Sequence, residues 1–137
     1  MASKFPDVVF VCFGAFDTAY QVGDNLRVQP LDEITFVKTL KDCKAAISSS
    51  GFETVAEMAY LGKPLMAIPI ENHYEKFCNA KEASNLGLVF ESKTYDFEQF
   101  EAYIDNHEPD LGYRDRIQET TKIITELVDL TTSPKIN

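Results

Sequence analysis

The chain has little that would point to a metal, a membrane or a nucleic acid. Its 137 residues include three cysteines and two histidines. Neither an Asp-x-Asp pair nor a His/Cys cluster at metal-ligand spacing occurs. Cys12, Cys43 and Cys78 are odd in number, far apart and set among apolar neighbours, which reads as three buried free thiols in a reducing compartment. No apolar run approaches the length that spans a bilayer. The start, MASKFPD, lacks the long apolar segment of a signal peptide, so the expected location is cytoplasmic. Thirteen basic residues against twenty-two acidic ones give a formal charge of −9, which argues against a nucleic-acid partner. One small phosphorylated molecule held by backbone amides stays compatible with that charge. Repeats, low-complexity tracts and linkers are absent, and the length suits one domain.

What is there is a regular alternation of strand and helix. Residues 7–13 (DVVFVCF) form a continuous apolar run of the kind buried on both faces of a parallel sheet. Residues 14–25 read as a loop and 26–31 as a second strand. Residues 32–42 read as a helix with Asp32 as N-cap and Ile34, Phe36, Val37 and Leu40 as its apolar stripe. Then come a strand at 45–50, a helix at 52–61, a strand at 63–70, a helix at 74–86 stopped by Gly87, and a short strand at 88–91. Amphipathic helices are expected at 97–104 and 115–130, and a frayed tail at 131–137. Such alternation predicts an α/β fold, a Rossmann-like doubly wound parallel sheet.

Ligands of such sheets sit outside the carboxyl ends of the strands. That places the candidate site among residues 14–15, 29–31, 48–54 and 70–75. The sharpest of these is SSSGFET: Gly51 is expected to make the tight turn from strand to helix, and the helix N-terminus beyond it offers unpaired N–H groups and a positive dipole end to an anion.

The run SSSGFETVAEMAYLGKPLMAIPI, followed by YEKFCNA, resembles the donor-binding, C-terminal half of a GT-B glycosyltransferase. It is similar to the group that includes the bacterial lipid II N-acetylglucosaminyltransferase and the UDP-glucuronosyltransferases. The family pattern is a Gly-rich turn, a Thr, Glu-Ala, Gly-Lys-Pro, an Ile-Pro strand end, and an acidic-Gln pair before Asn-Ala. The resemblance covers about residues 26–90.

The resemblance implies roles for particular residues. Ser50, Gly51, Phe52 and Thr54 would hold the nucleotide diphosphate; otherwise Ser50 caps the helix and Thr54 is surface. Glu57, one turn after Thr54, would accept from the two ribose hydroxyls, where the plain alternative is a solvated glutamate. Leu31, with Gln29 and Pro30, aligns with the loop that reads the nucleobase, and equally suits a hydrophobic staple. Glu75, Lys76 and Asn79 align with the sugar-reading motif. Relatives carry Gln or Asp and then Gln where this chain has Glu-Lys. Lys76 is a donor only, so it either contacts phosphate or points to solvent. His73 is a weak candidate acid or base, and His107 has no case for function.

The same resemblance implies a metal-independent inverting transfer from a UDP-sugar, with no cofactor. The strand and helix that open the family's half-domain are not recognisable, nor is the acceptor-binding domain. A truncated donor-binding half is therefore expected, either an excised fragment or one completed by another polypeptide, as in one eukaryotic N-acetylglucosaminyltransferase split between two subunits. The apolar sheet edge would be covered by that partner or by a second copy. The other readings are a UDP-N-acetylglucosamine 2-epimerase-like domain, a non-catalytic nucleotide-sugar-binding or interaction subunit, and a flavodoxin-like interaction domain.

Overall fold

In this structure, a computed structural model that describes residues 2–132, strands and helices alternate as the sequence pattern predicts. The chain divides into two compact units, Met1–Cys43 and Lys44–Asn137. In the first, β1 (Phe10–Gly14), β2 (Tyr20–Val22) and β3 (Leu26–Pro30) form a sheet in the order β1-β3-β2, followed by α1 (Glu33–Asp42). β1 and β3 are parallel in the register Phe10 to Leu26 through Gly14 to Pro30. β2 is antiparallel to β3, Tyr20 facing Val28.

β2 lies inside the stretch read as a plain loop. Its three residues alternate too briefly to signal a strand, and all three are exposed. Gly23, at φ 61°, makes the reversal into β3. Asn25 ties the N-terminal turn to this sheet: its Nδ2 lies 2.9 Å from the Ala2 carbonyl and 2.8 Å from those of Phe5 and Val8. α1 starts as expected, with Asp32 Oδ1 accepting from the Thr35 N–H at 2.9 Å. Phe13 meets Phe36 edge to face at 5.3 Å. Val28 and Leu40 are the buried apolar residues of this unit.

The second unit contains β4 (Ala46–Ser48), α2 (Phe52–Leu61), β5 (Leu65–Ala67), α3 (Tyr74–Asn85), β6 (Phe90–Glu91), α4 (Phe97–Asp105) and α5 (Leu111–Thr132). Its sheet is all parallel in the order β4-β5-β6. β5 is central and buried throughout, which is why Leu-Met-Ala reads as an unbroken apolar run. Met58, Leu65, Met66, Ala67 and Ala80 are fully buried there. α2 ends on Gly62 at φ 66°, with Gly62 N–H bonded to the Ala59 carbonyl and Lys63 N–H to that of Met58. This left-handed cap satisfies the last turn and turns the chain into β5. Gly87, at φ 73°, ends the turn after α3 in the same way. α4 is capped by Asp96, which accepts from the Gln99 N–H. Its buried Phe100 stacks on Phe90 at 6.1 Å and on Tyr103 at 6.1 Å.

Other details differ from the sequence reading. α5 begins at Leu111, four residues earlier than expected, and continues through Thr132; the rest of the expected tail lies outside the described residues. The three cysteines form no disulfide with one another, but Cys12 is exposed and Cys43 and Cys78 are half-buried. Cys12 sits on β1 next to the equally exposed Val11, so both faces of that strand are open at its middle. Among the described residues no helix is long and apolar enough to cross a membrane.

Candidate functional site

The turn from β4 into α2 is the most unusual piece of backbone in the second unit. Gly51 was the residue expected to make it, yet Gly51 is the N-cap of α2 at an ordinary φ of −62°. Ser50 makes the turn instead, at φ 66°, a conformation a non-glycine residue adopts only at a cost of about 1 kcal/mol or more. Ser50 is also fully buried, and its Oγ has no hydrogen-bond partner. An unpaired buried hydroxyl is a second cost of about 1–3 kcal/mol. A packing residue has no reason to combine the two.

What Gly51 contributes is room. A Cβ built on it meets no atom within 4 Å, so neither φ nor packing requires glycine there. No side chain caps α2. The N–H groups of its first turn therefore face an opening, with the positive end of the helix dipole behind them. Phe52 is 70% exposed beside that opening, and Thr54 is half-buried within the first turn. Glu57 follows one turn later, half-buried. Desolvation, and then the negative charge of Glu53, hold its carboxyl above the usual glutamate value.

α3 supplies the other side of the turn. Lys76 Nζ donates to Ser49 Oγ at 3.1 Å, and Asn79 Nδ2 reaches the Ser50 carbonyl at 3.5 Å. Lys76 is therefore half-buried against the turn, where a solvent-pointing side chain was one of two expectations. Glu75, expected to share a face with Asn79, is exposed and lies outside these contacts. The pair that meets the turn is spaced three apart, because the helix starts at Tyr74 and presents its 76–79 edge. His73 is the exposed N-cap of α3 and makes no side-chain cap bond. His107 packs its ring 5.6 Å from Tyr103, with Nε2 buried and unpartnered. Leu31 belongs to the first unit, where it is 64% exposed at the carboxyl end of β3 and its N–H bonds the Gly14 carbonyl.

A cavity of about 290 Å³ lies at the opposite end of α2, lined by Tyr60, Gly62, Pro109 and Arg114 among others. Arg114 explains it structurally. Its guanidinium covers the Tyr60 ring at 4.8 Å and donates to the Tyr60 carbonyl from Nε and Nη2 at 3.3 and 3.2 Å. A cation on the last carbonyls of a helix is an ordinary C-terminal contact. Sequence reasoning missed Arg114 because it lies 54 residues from its partner. Among the described residues no group of three His, Cys, Asp or Glu side chains is placed to hold a metal ion.

A parallel β/α layout with an uncapped helix N-terminus at the carboxyl end of a strand defines a Rossmann-like unit of the kind found in GT-B glycosyltransferases. The glycosyltransferase SnogD from Streptomyces nogalater superposes with a TM-score of 0.67 over 90% of this chain, at 23% identity. The glycotransferase of kitacinnamycin matches with a TM-score of 0.58 over 85% of the chain, at 19% identity. This chain covers 36% and 31% of those two proteins, so it spans about a third of their length. The pattern of Glycosyl transferase family 1 matches residues 2–107, and the chain belongs to that family. No curated protein matches it closely enough to add a relative.

Proposed function

We propose that this chain is the donor-binding part of a metal-independent, inverting glycosyltransferase that uses a UDP-sugar. The observation that carries this reading is the start of α2: an open Gly51, uncapped N–H groups and a strained Ser50 with an unpaired Oγ. Backbone amides and dipole there can take the negative charge that builds on the departing nucleotide diphosphate, the role a cation plays elsewhere. The Thr54 hydroxyl is in the same turn and can share it. The two carboxyl oxygens of Glu57 can accept from vicinal ribose hydroxyls. Its half-buried position favours a fixed contact over a solvated one. Asn79 with Glu75 would meet sugar hydroxyls.

The acceptor and its general base belong, in this reading, to a further domain or subunit. An acceptor hydroxyl deprotonated there attacks the anomeric carbon as the bond to the UDP oxygen breaks. β1 is the outer strand of its sheet, and Val9 before it and Val11 within it are exposed at 57% and 37%; a partner or a second copy would add there. The location fitting this chemistry is cytoplasmic.

Titration of the chain with UDP and ADP, followed by amide NMR, tests the reading. Shifts at Gly51, Thr54 and Glu57 with UDP and not ADP are expected. Equal response to both nucleotides would remove the uridine assignment. No response to either would leave an interaction subunit as the better account.

A further inference from the structure

We propose that Lys76 holds the outer phosphate of the donor's diphosphate, so that this site selects by phosphate charge more than by the sugar's hydroxyl pattern; the inference rests on reading the start of α2 as a nucleotide-diphosphate site. Lys76 stands in the first turn of α3, the positive end of its own helix. Its ammonium is fixed on Ser49 Oγ, two residues before the N-cap of α2, and so beside a second positive helix end. A half-buried lysine in a chain of charge −9 has abundant carboxylates to pair with, yet no ion pair among the described residues involves it.

The two ends of α2 make the point. At its C-terminus the dipole is matched by Arg114, the expected sign. At its N-terminus the neighbouring cation has the same sign as the dipole, and the one acidic residue of that turn, Glu53, is exposed, so an anion between Lys76 and the helix end is favoured. An ammonium has three N–H donors and Ser49 accepts one, which leaves donors for a ligand oxygen. The buried, unpaired Oγ of Ser50 is an independent mark of the same place. A lysine cannot imitate an amide that both donates and accepts, so it reads charge better than it reads hydroxyl geometry. The shared chemistry is an anionic oxygen, which a phosphate or a sugar carboxylate could supply; the position beside the turn at Ser49–Ser50 favours phosphate.

The test is calorimetric titration of the wild-type chain and of Lys76→Gln, Lys76→Arg and Lys81→Gln with UDP, ADP, UMP, inorganic pyrophosphate and UDP-glucuronate. Lys81→Gln changes net charge equally while removing only an exposed pair with Glu91. Lys76→Gln should weaken UDP and pyrophosphate about tenfold and UMP less than about twofold, with Lys76→Arg between and Lys81→Gln unchanged. Equal loss for UDP and UMP, or loss confined to UDP-glucuronate, would overturn the assignment, as would unchanged UDP affinity. If the wild type bound pyrophosphate through Lys76 but preferred UDP no more than ADP, the phosphate role would survive and the uridine reading would fall. If it bound neither UDP nor pyrophosphate, both would fall.

Discussion

The two units of the chain carry similar apolar strands and bury them to different degrees. In the second, β5 is enclosed, and Met58, Leu65, Met66 and Phe100 expose 1% or less of their surface. In the first, β1 reads as a strand apolar on both faces, yet Val11 and Cys12 are exposed, as are Tyr20 and Val22 of β2. Continuous apolar composition suits a strand with parallel neighbours and helices on both faces. β1 has β3 along one edge and a three-residue turn at Ala2–Lys4 before it. The lesson is that apolar composition states what a strand is built to meet, and enclosure is a separate fact. The first unit should accordingly be the less stable of the two.

The largest expected effect tests the enclosed unit. Phe100→Ala should lower unfolding stability by about 3–4 kcal/mol in urea, and Met58→Ala by about 2–4 kcal/mol. Val22→Ala in the first unit should cost no more than about 0.5 kcal/mol. Hydrogen exchange sharpens the contrast: amides of α2 and β5 should be protected by the global stability, and those of β2 should exchange much earlier. Equal protection in the two units would break the comparison.

Next come variants that separate stability from binding within the second unit. Ser50→Gly should stabilise the fold by about 1 kcal/mol, since it removes both a strained φ and an orphan hydroxyl. UDP affinity should fall in the same variant. Gly51→Ala should change stability by less than about 0.5 kcal/mol, because its Cβ meets no protein atom, and should still weaken UDP. A Gly51→Ala chain that bound UDP normally would show that no ligand approaches α2 there.

The smallest stability effect is expected at Glu57. Its folded-state pKa is raised, so ionisation disfavours the folded chain. Glu57→Gln should therefore be slightly more stable than wild type at neutral pH. That advantage should shrink as pH falls through the raised pKa and vanish below the ordinary value of 4.5. UDP affinity should meanwhile drop about tenfold through loss of the ribose contact. A Glu57→Gln chain less stable than wild type would mark the carboxylate as structural.

The helix-strand rhythm was legible because apolar spacing and end signals agree: Asp32 caps α1, and Gly87 follows the end of α3. β2 escaped because three exposed residues carry no period. Residue identity could not show that Ser50, with Gly51 beside it, takes the left-handed position, since that depends on how β4 hands over to α2. Lys76 was ambiguous for a related reason: only the packing of α3 against the turn decides which edge of the helix faces it. Asn25 and Arg114 act on distant carbonyls, and sequence spacing carries no trace of such partners.

The left-handed Ser50 has a kinetic consequence. A turn already held in its costly conformation, with the amides of α2 set behind it, leaves little loop ordering to accompany ligand capture. Association of a diphosphate with this edge should then proceed as a single bimolecular phase whose rate rises linearly with ligand concentration. The lifetime of the complex, rather than the speed of its formation, would be the quantity that substitutions at the turn alter.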